Sequence, residues 1–211
     1  MKTLYNKFDK KLIPDLPRVV FPGRIEVVVS ENVADRAVDY LLSQPILGFD
    51  TETRPSFKKG ELHKVCLLQV STPEVCFLFR LNHMGIPDSI VRLLSDKTVV
   101  KVGLSWHDDL SQLLRRRKFT PGTFVDLQHL ARELHIEDMS LQKLYANVFG
   151  ERIAKGQQMS NWEADSLSDS QKQYAAIDAW ACIRIYQELQ RVKQEGYQLV
   201  VAPQPVKETE Q

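Results

Sequence analysis

The chain has 211 residues, enough for one sizeable domain with a core of its own. Hydrophobic residues make up 43% and charged residues 26%, which excludes disorder, collagen-like repeats and a coiled coil. Lys plus Arg number 28 against 27 for Asp plus Glu, a net charge of +1, so any nucleic-acid site must be a local feature.

Residues 1–24 mix charged and apolar positions around Pro14, Pro17 and Pro22 and predict an extended arm lying on the domain. IEVVVS (25–30) alternates and is β-branched, a strand. Ser30 or Asn32 can cap a helix over 32–43 whose apolar stripe is Val33, Ala37, Leu41 and Leu42. ILGFDTE (46–52) is a buried strand running into polar residues. KVCLLQVST (64–72) and EVCFLFRL (74–81) predict a hairpin turning at Pro73. A helix near 87–95 precedes the strand TVVKVG (98–103), and helices follow at 106–117, 126–135 and 140–149. A last long helix runs over 169–195, opened by a capping box of Ser168 with Gln171 and closed by Gly196. Residues 197–211 read as a loose tail. With no repeat or linker inside it, 25–196 is assigned to one α/β domain with a mixed sheet flanked by helices.

No run approaches the ~20 apolar residues of a membrane span. The N-terminus lacks a targeting pattern. Cys66, Cys76 and Cys182 sit in apolar runs without metal-ligand spacing and fit a reducing compartment. A soluble cytoplasmic protein that does not touch a membrane is the expectation.

Four acids stand where acids are expensive. Asp50 and Glu52, at i and i+2 of an apolar strand, project from one face, at the C-terminal end where α/β sheets place their ligand sites. In KVGLSWHDDLSQLL (101–114), Ser105 and Asp108 fit a capping box, which explains Asp108 structurally. Asp109 lies instead on the side of Trp106, Leu110 and Leu113 and calls for a functional explanation. Tyr174 and Asp178 are i, i+4 neighbours on an inward row with Ala181, Cys182 and Ile185. A buried carboxylate without a partner costs several kcal/mol, roughly, and no Lys or Arg lies one turn away from Asp178. Bound cations would supply the missing charge, and oxygen-only ligation suits Mg²⁺ or Mn²⁺ rather than zinc.

The order D-x-E, D at a helix start, then Y-x-x-x-D resembles the DEDD superfamily of 3′–5′ exonucleases in its tyrosine branch, with Gln173 where the other branch has histidine. ILGFDTET, VCLLQVSTPEVCFLFRL, VKVGLSWHDDLSQLL and SNW…LSDSQKQYAAIDAWACIRIYQEL extend the resemblance over about 25–192, to Werner-type exonuclease domains and more distantly to ribonuclease D. One extra residue between Gly103 and the middle acid departs from the Werner-type pattern and keeps Asp108 as the alternative to Asp109.

The resemblance implies a ribonuclease H-like fold and two divalent cations hydrolysing the terminal phosphodiester to release nucleoside monophosphates. Carried over by position, Asp50 bridges both metals, Glu52 and Asp178 complete the site of the water-activating one, and Asp109 holds the second. Tyr174 orients the attacking water, because a phenol with pKa near 10 is a poor base at neutral pH. Candidate substrate contacts are Thr51 between the two strand acids, Lys155 in AKGQQMSNW, and Trp106 or Trp162 as stacking platforms, against a core role for either tryptophan. The run Arg115–Arg116–Arg117–Lys118 is either a nucleic-acid contact or a solvated helix end. Single-stranded or 3′-recessed DNA is the preferred substrate. The alternatives are RNA 3′-end trimming, a small-nucleotide phosphodiesterase, or a silent binding module, which the inward acids argue against. The last predicted helix leaves no room for a helicase, so a separate helicase is a conceivable partner.

Overall fold

The most apolar run of the chain, VCLLQVS, becomes an inner strand of the sheet, and the other elements are arranged about it. In the computed structural model, which describes residues 1–58 and 60–201, β1 spans Lys2–Tyr5, β2 Arg24–Val28, α1 Glu31–Leu42 and β3 Ile46–Thr53. Next come β4 (Val65–Ser71), β5 (Val75–Arg80), α2 (Leu81–Met84), α3 (Asp88–Ser95) and β6 (Val100–Gly103). The chain continues through α4 (His107–Arg116), β7 (Phe124–Asp126), α5 (Leu127–Glu133), α6 (Leu141–Phe149), α7 (Asp169–Glu195) and β8 (Tyr197–Val200).

Six strands form one mixed sheet in the order β2-β5-β4-β3-β6-β7. β4 runs antiparallel to both of its neighbours, and all other pairings are parallel. Every β4 residue is buried because helices cover both faces. On one face Leu68 and Val70 pack with Val38 and Leu41 of α1, Leu93 of α3 and Leu113 of α4. On the other, Leu67 and Leu78 meet Leu130 of α5, Leu144 of α6 and Ala179 and Ile185 of α7. The result is the α/β layered domain that the alternation of strands and helices predicts.

The hairpin closes as expected, its turn held by the Thr72 hydroxyl, which accepts from the Glu74 and Val75 amides at 3.2 and 3.1 Å. The capping box of α7 is also present: Ser168 Oγ accepts from the Gln171 amide, and the Gln171 side chain returns to the Ser168 amide. Gly196 ends the helix with φ +86°, a conformation only glycine adopts without strain.

Four details differ from the sequence reading. The buried stripe of α1 is Ala34, Ala37, Val38 and Leu41, and Val33 is 37% exposed, so the helix is rotated by about one position. Tyr197–Val200, read as tail, form β8, paired parallel with β1 in the register Lys2↔Tyr197. Two distant segments complete each other there, which local pattern does not reveal; 202–211 lie outside the described residues. β7 has only three residues, too few for a periodicity, and its strand character comes from pairing with β6. Ser105 does not cap α4: it adopts φ +58°, Trp106 is the N-cap residue, and no side chain caps the helix.

The N-terminal arm is part of the packing. Leu4, Val19 and Phe21 are buried, and Phe21 meets the Trp180 ring edge-on at 5.7 Å. Among the described residues no helix is long and apolar enough to cross a membrane.

α7 lies directly on β3 at Gly48, where an added Cβ would sit 1.9 Å from the Ala179 carbonyl oxygen. Gly48→Ala is therefore expected to push the helix off the strand and to cost about 2–3 kcal/mol. Urea denaturation checks this, and an unchanged midpoint would show that the contact relaxes without penalty.

Candidate active site

At the C-terminal ends of β3 and β6, against α7, a cleft of about 460 Å³ opens. β3 delivers Asp50, Thr51 and Glu52 to it, and α7 delivers Tyr174, Asp178 and Cys182. A β-bulge opposite Glu52 adjusts the strand end: Glu52 pairs with Leu67 and Thr53 with Val65, leaving Cys66 as the extra residue. The Cys66 thiol donates to the Glu52 carbonyl at 3.3 Å.

Asp109 approaches from the first turn of α4 and is bonded by the Thr51 hydroxyl. Asp108 is exposed and points away from this contact. The chain enters α4 through a turn at Ser105, whose amide donates to Asp126 Oδ1 at 3.0 Å. The same oxygen caps α5 by accepting from the Gln128 amide at 2.9 Å. Asp126 thereby fixes the entry of α4, and with it Asp109, to the end of β7.

The four carboxylates have no cation among the residues lining the cleft. Their charges fall on one another. Burial, then Asp178, Asp109 and Glu52, hold the Asp50 carboxyl well above the usual range, against the Thr51 amide that bonds it. Burial, then Asp178 and Asp109, push Glu52 up to about 9. Burial raises Asp178 to about 7 and Asp109 to about 6, each moderated by a hydroxyl, Tyr174 and Thr51 respectively. Tyr174 is itself pushed upward by burial, Asp178 and Glu52, so it stays protonated.

The donor set fits hard divalent cations: all oxygen, surplus in negative charge, and with the buried Asp178 Oδ1 lacking any hydrogen-bond partner. Among the described residues no three His, Cys, Asp or Glu side chains stand close enough to hold a metal as they are. A bound divalent cation would turn the mutual repulsion of these carboxylates into a shared attraction.

Of the other sequence candidates, Thr51 lines the cleft. Lys155 is exposed on the turn before Gln158, which lines it. Trp162 is a correction: it is fully buried, its ring 6.0 Å from that of Tyr174, and it cannot stack on a base. Its large apolar surface holds the tyrosine from behind. Trp106 is half-buried outside this cleft, against Phe124 at 5.1 Å. The cleft's far wall was not foreseen: Gln128, Met139, Ser140, Leu141, Gln142 and Gln158. Neutral amides and a Ser in connecting segments carry no pattern, and only the bond from Gln128 Nε2 to the Met139 carbonyl, 2.9 Å, shows that this wall is built as a unit.

Residues 25–194 match a family described as 3′–5′ exonuclease. The chain is 33% identical over 195 residues to the mouse bifunctional 3′–5′ exonuclease/ATP-dependent helicase WRN, covering 85% of this chain and 14% of that protein. It is 34% identical over 191 residues to an Arabidopsis thaliana 3′–5′ exonuclease, covering 83% of this chain and 66% of the relative. The chain thus spans less than two thirds of the length of either. The crystal structure of Escherichia coli RNase D, an exoribonuclease involved in structured RNA processing, superposes with a TM-score of 0.73 at 19% identity, over 81% of this chain and 45% of that one; the likeness is one of fold.

Folded-state values above those of the unfolded chain mean that the folded cluster keeps protons the unfolded chain releases. This stabilisation is complete below about pH 4 and is lost as pH rises through the values near 6, 7 and 9 of Asp109, Asp178 and Glu52. Glu188, held down to about 2, has finished titrating below that range and does not offset it. The metal-free protein is expected to lose stability from pH 5 to about pH 8, by up to about 1.4 kcal/mol per pH unit for each retained proton, and less steeply above that, where Lys101, lowered to about 8 by burial, acts in the opposite sense. Asp178→Asn should flatten that slope. Thermal denaturation in EDTA across this range reads both, and a flat wild-type profile would mean the acids do not repel.

Proposed function

This chain belongs to the 3′–5′ exonucleases of the DEDD type, and from that premise we propose that the cleft hydrolyses the terminal phosphodiester at the 3′ end of a nucleic-acid strand, releasing nucleoside monophosphates. The observation that supports this is that Asp50, Glu52, Asp178 and Tyr174 line a cleft without a lining cation, with Asp109 beside it, bonded by Thr51 and within electrostatic reach of Asp50 and Glu52. Two divalent cations, Mg²⁺ or Mn²⁺, held by those four carboxylates, would acidify the attacking water and neutralise charge on the phosphate and the leaving oxygen.

The chain's own residues do the rest. Asp50, on which the other three acids act, would be a ligand shared by the cations. Glu52 and Asp178 would hold the cation that acidifies the attacking water, and Asp109 would hold the other. In this reading the Tyr174 phenol, kept protonated, would orient the attacking water through its hydroxyl and take no proton, the role expected in the tyrosine branch. Thr51 steadies Asp109 and, with Lys155, meets the substrate backbone.

DNA is the proposed substrate, single-stranded or 3′-recessed, because the relatives matched in sequence include the exonuclease–helicase, whereas the exoribonuclease is matched in fold alone. A helicase carried on a separate chain would be a fitting partner. The three buried, unpaired cysteines suit a cytoplasmic location.

A time course on 5′-labelled single-stranded DNA, 3′-recessed duplex and matching RNA tests the reading. The expected result is a one-nucleotide ladder shortening from the 3′ end with Mg²⁺ or Mn²⁺, absent in EDTA. Asp50→Ala and Asp178→Asn should each lower the rate by about 10³-fold with the fold retained. Asp109→Ala should cost far more activity than Asp108→Ala. A metal-independent rate, or near-normal hydrolysis by Asp178→Asn, would overturn the two-ion assignment, and a faster ladder on RNA would move the substrate class.

A further inference from the structure

The basic run at the end of α4 divides into two pairs. Arg116 is turned into the protein, donating to the carbonyls of Val65 and Leu81, the latter at 2.9 Å. Arg117 donates to the Ile86 carbonyl and pairs with Asp88. These two have structural work and complement the C-terminal end of α4. Arg115 and Lys118 do not share it. Both are exposed, and among the described residues neither side chain makes an ion pair or a hydrogen bond.

Arg115 and Lys118 rim a groove of about 380 Å³ whose base includes Trp106, His107, Leu114 and Pro121, and no carboxylate lines it. The Trp106 and His107 rings meet edge to face at 4.3 Å, and the Trp106 Nε1 is buried without a hydrogen-bond partner. A groove with an aromatic floor and two free cations is complementary to a strand of phosphates and bases. The charge is local, as the near-neutral chain requires.

The groove also adjoins the cleft. Leu104 and Ser105 line the cleft, and the next two residues, Trp106 and His107, line the groove. From His107 to Arg115 the helix advances about 12 Å, the rise of three or four nucleotides at about 3.4 Å each. We propose that this groove holds the substrate strand upstream of its 3′ end, with phosphates on Arg115 and Lys118 and a base against the Trp106–His107 edge. The inference rests on the exonuclease reading of the cleft and extends it from the scissile bond to the strand behind it.

Strand length and salt test it. The full-length protein is assayed on DNA of 2, 4, 8 and 12 nucleotides, and binding of a labelled 12-mer is measured by anisotropy in EDTA, where nothing is cut. The wild type should show KM falling with length up to about 8 nucleotides. In Arg115→Glu/Lys118→Glu the 12-mer should lose about tenfold or more in affinity, so that its advantage over the dinucleotide collapses. The salt slope of 12-mer binding should shrink by about 1.4, the value for two phosphate contacts on a single strand. Arg115→Gln/Lys118→Gln gives the same direction at smaller amplitude if charge reversal disturbs the fold, which thermal denaturation monitors. A variant with wild-type length dependence and salt slope would overturn the proposal, as would an equal loss on the dinucleotide. If the wild type cuts nothing, the exonuclease reading fails, and 12-mer binding in EDTA still decides whether the groove holds a strand.

Discussion

The site depends on one close approach, that of α7 onto β3 at Gly48. The Ala179 carbonyl occupies the space where a side chain of residue 48 would be. Because α7 lies this near the sheet, Asp178, one residue before that contact, reaches the carboxylates of β3. A helix standing off by the usual side-chain thickness would leave Asp178 among apolar neighbours with nothing to act on. Instead the strand contributes acids at a two-residue period and the helix a tyrosine and an acid one turn apart, and the two series meet at the end of the sheet.

That approach creates an electrostatic debt which the rest of the architecture is arranged to hold. Three carboxylates lining the cleft and Asp109 beside it raise one another's proton affinity, most strongly at Asp50, on which the other three act. The neighbouring groups moderate the repulsion without abolishing it. Thr51 bonds Asp109, its amide bonds Asp50, and Tyr174 faces Asp178. None of these partners carries a positive charge. An Arg or Lys at this place would neutralise the acids permanently and leave nothing for a cation to bind. The absence of a lining base is thus the feature that separates a poised site from a structural ion pair, such as that of Glu188 with Lys2 and Arg191 elsewhere on the protein.

Much of the fold and the placing of the candidate acids about one cleft are legible because their signals are local. The long helix announces both of its ends through Ser168, Gln171 and Gly196, and period-two spacing places Asp50 and Glu52 together. The choice between Asp109 and Asp108 follows from which side of α4 faces apolar residues, although the capping argument used for Asp108 does not hold in the structure. What was illegible depends on distant partners. β8 exists because β1 lies beside it, and the far wall of the cleft is made of residues whose types carry no chemistry on their own. Trp162 shows the opposite failure: a residue type suited to stacking is buried behind Tyr174, where volume and not its π-face matters.

Charge is partitioned along a few consecutive residues. The cleft keeps acids and no bases, the groove beyond Ser105 keeps bases and no acids, and the turn held by Asp126 separates them. A uniformly acidic surface would repel the strand that the cleft must receive, and a basic cleft would bind phosphate tightly while competing with the cations for the carboxylates. On the proposed reading, holding the two apart would let attraction act on the length of a strand while the acids stay reserved for cations. The overall charge of +1 conceals this arrangement. Bulk composition excludes a polyelectrolyte, but the cations at the end of α4, two bonded within the protein and two left free, would give a near-neutral chain a surface suited to a polyanion.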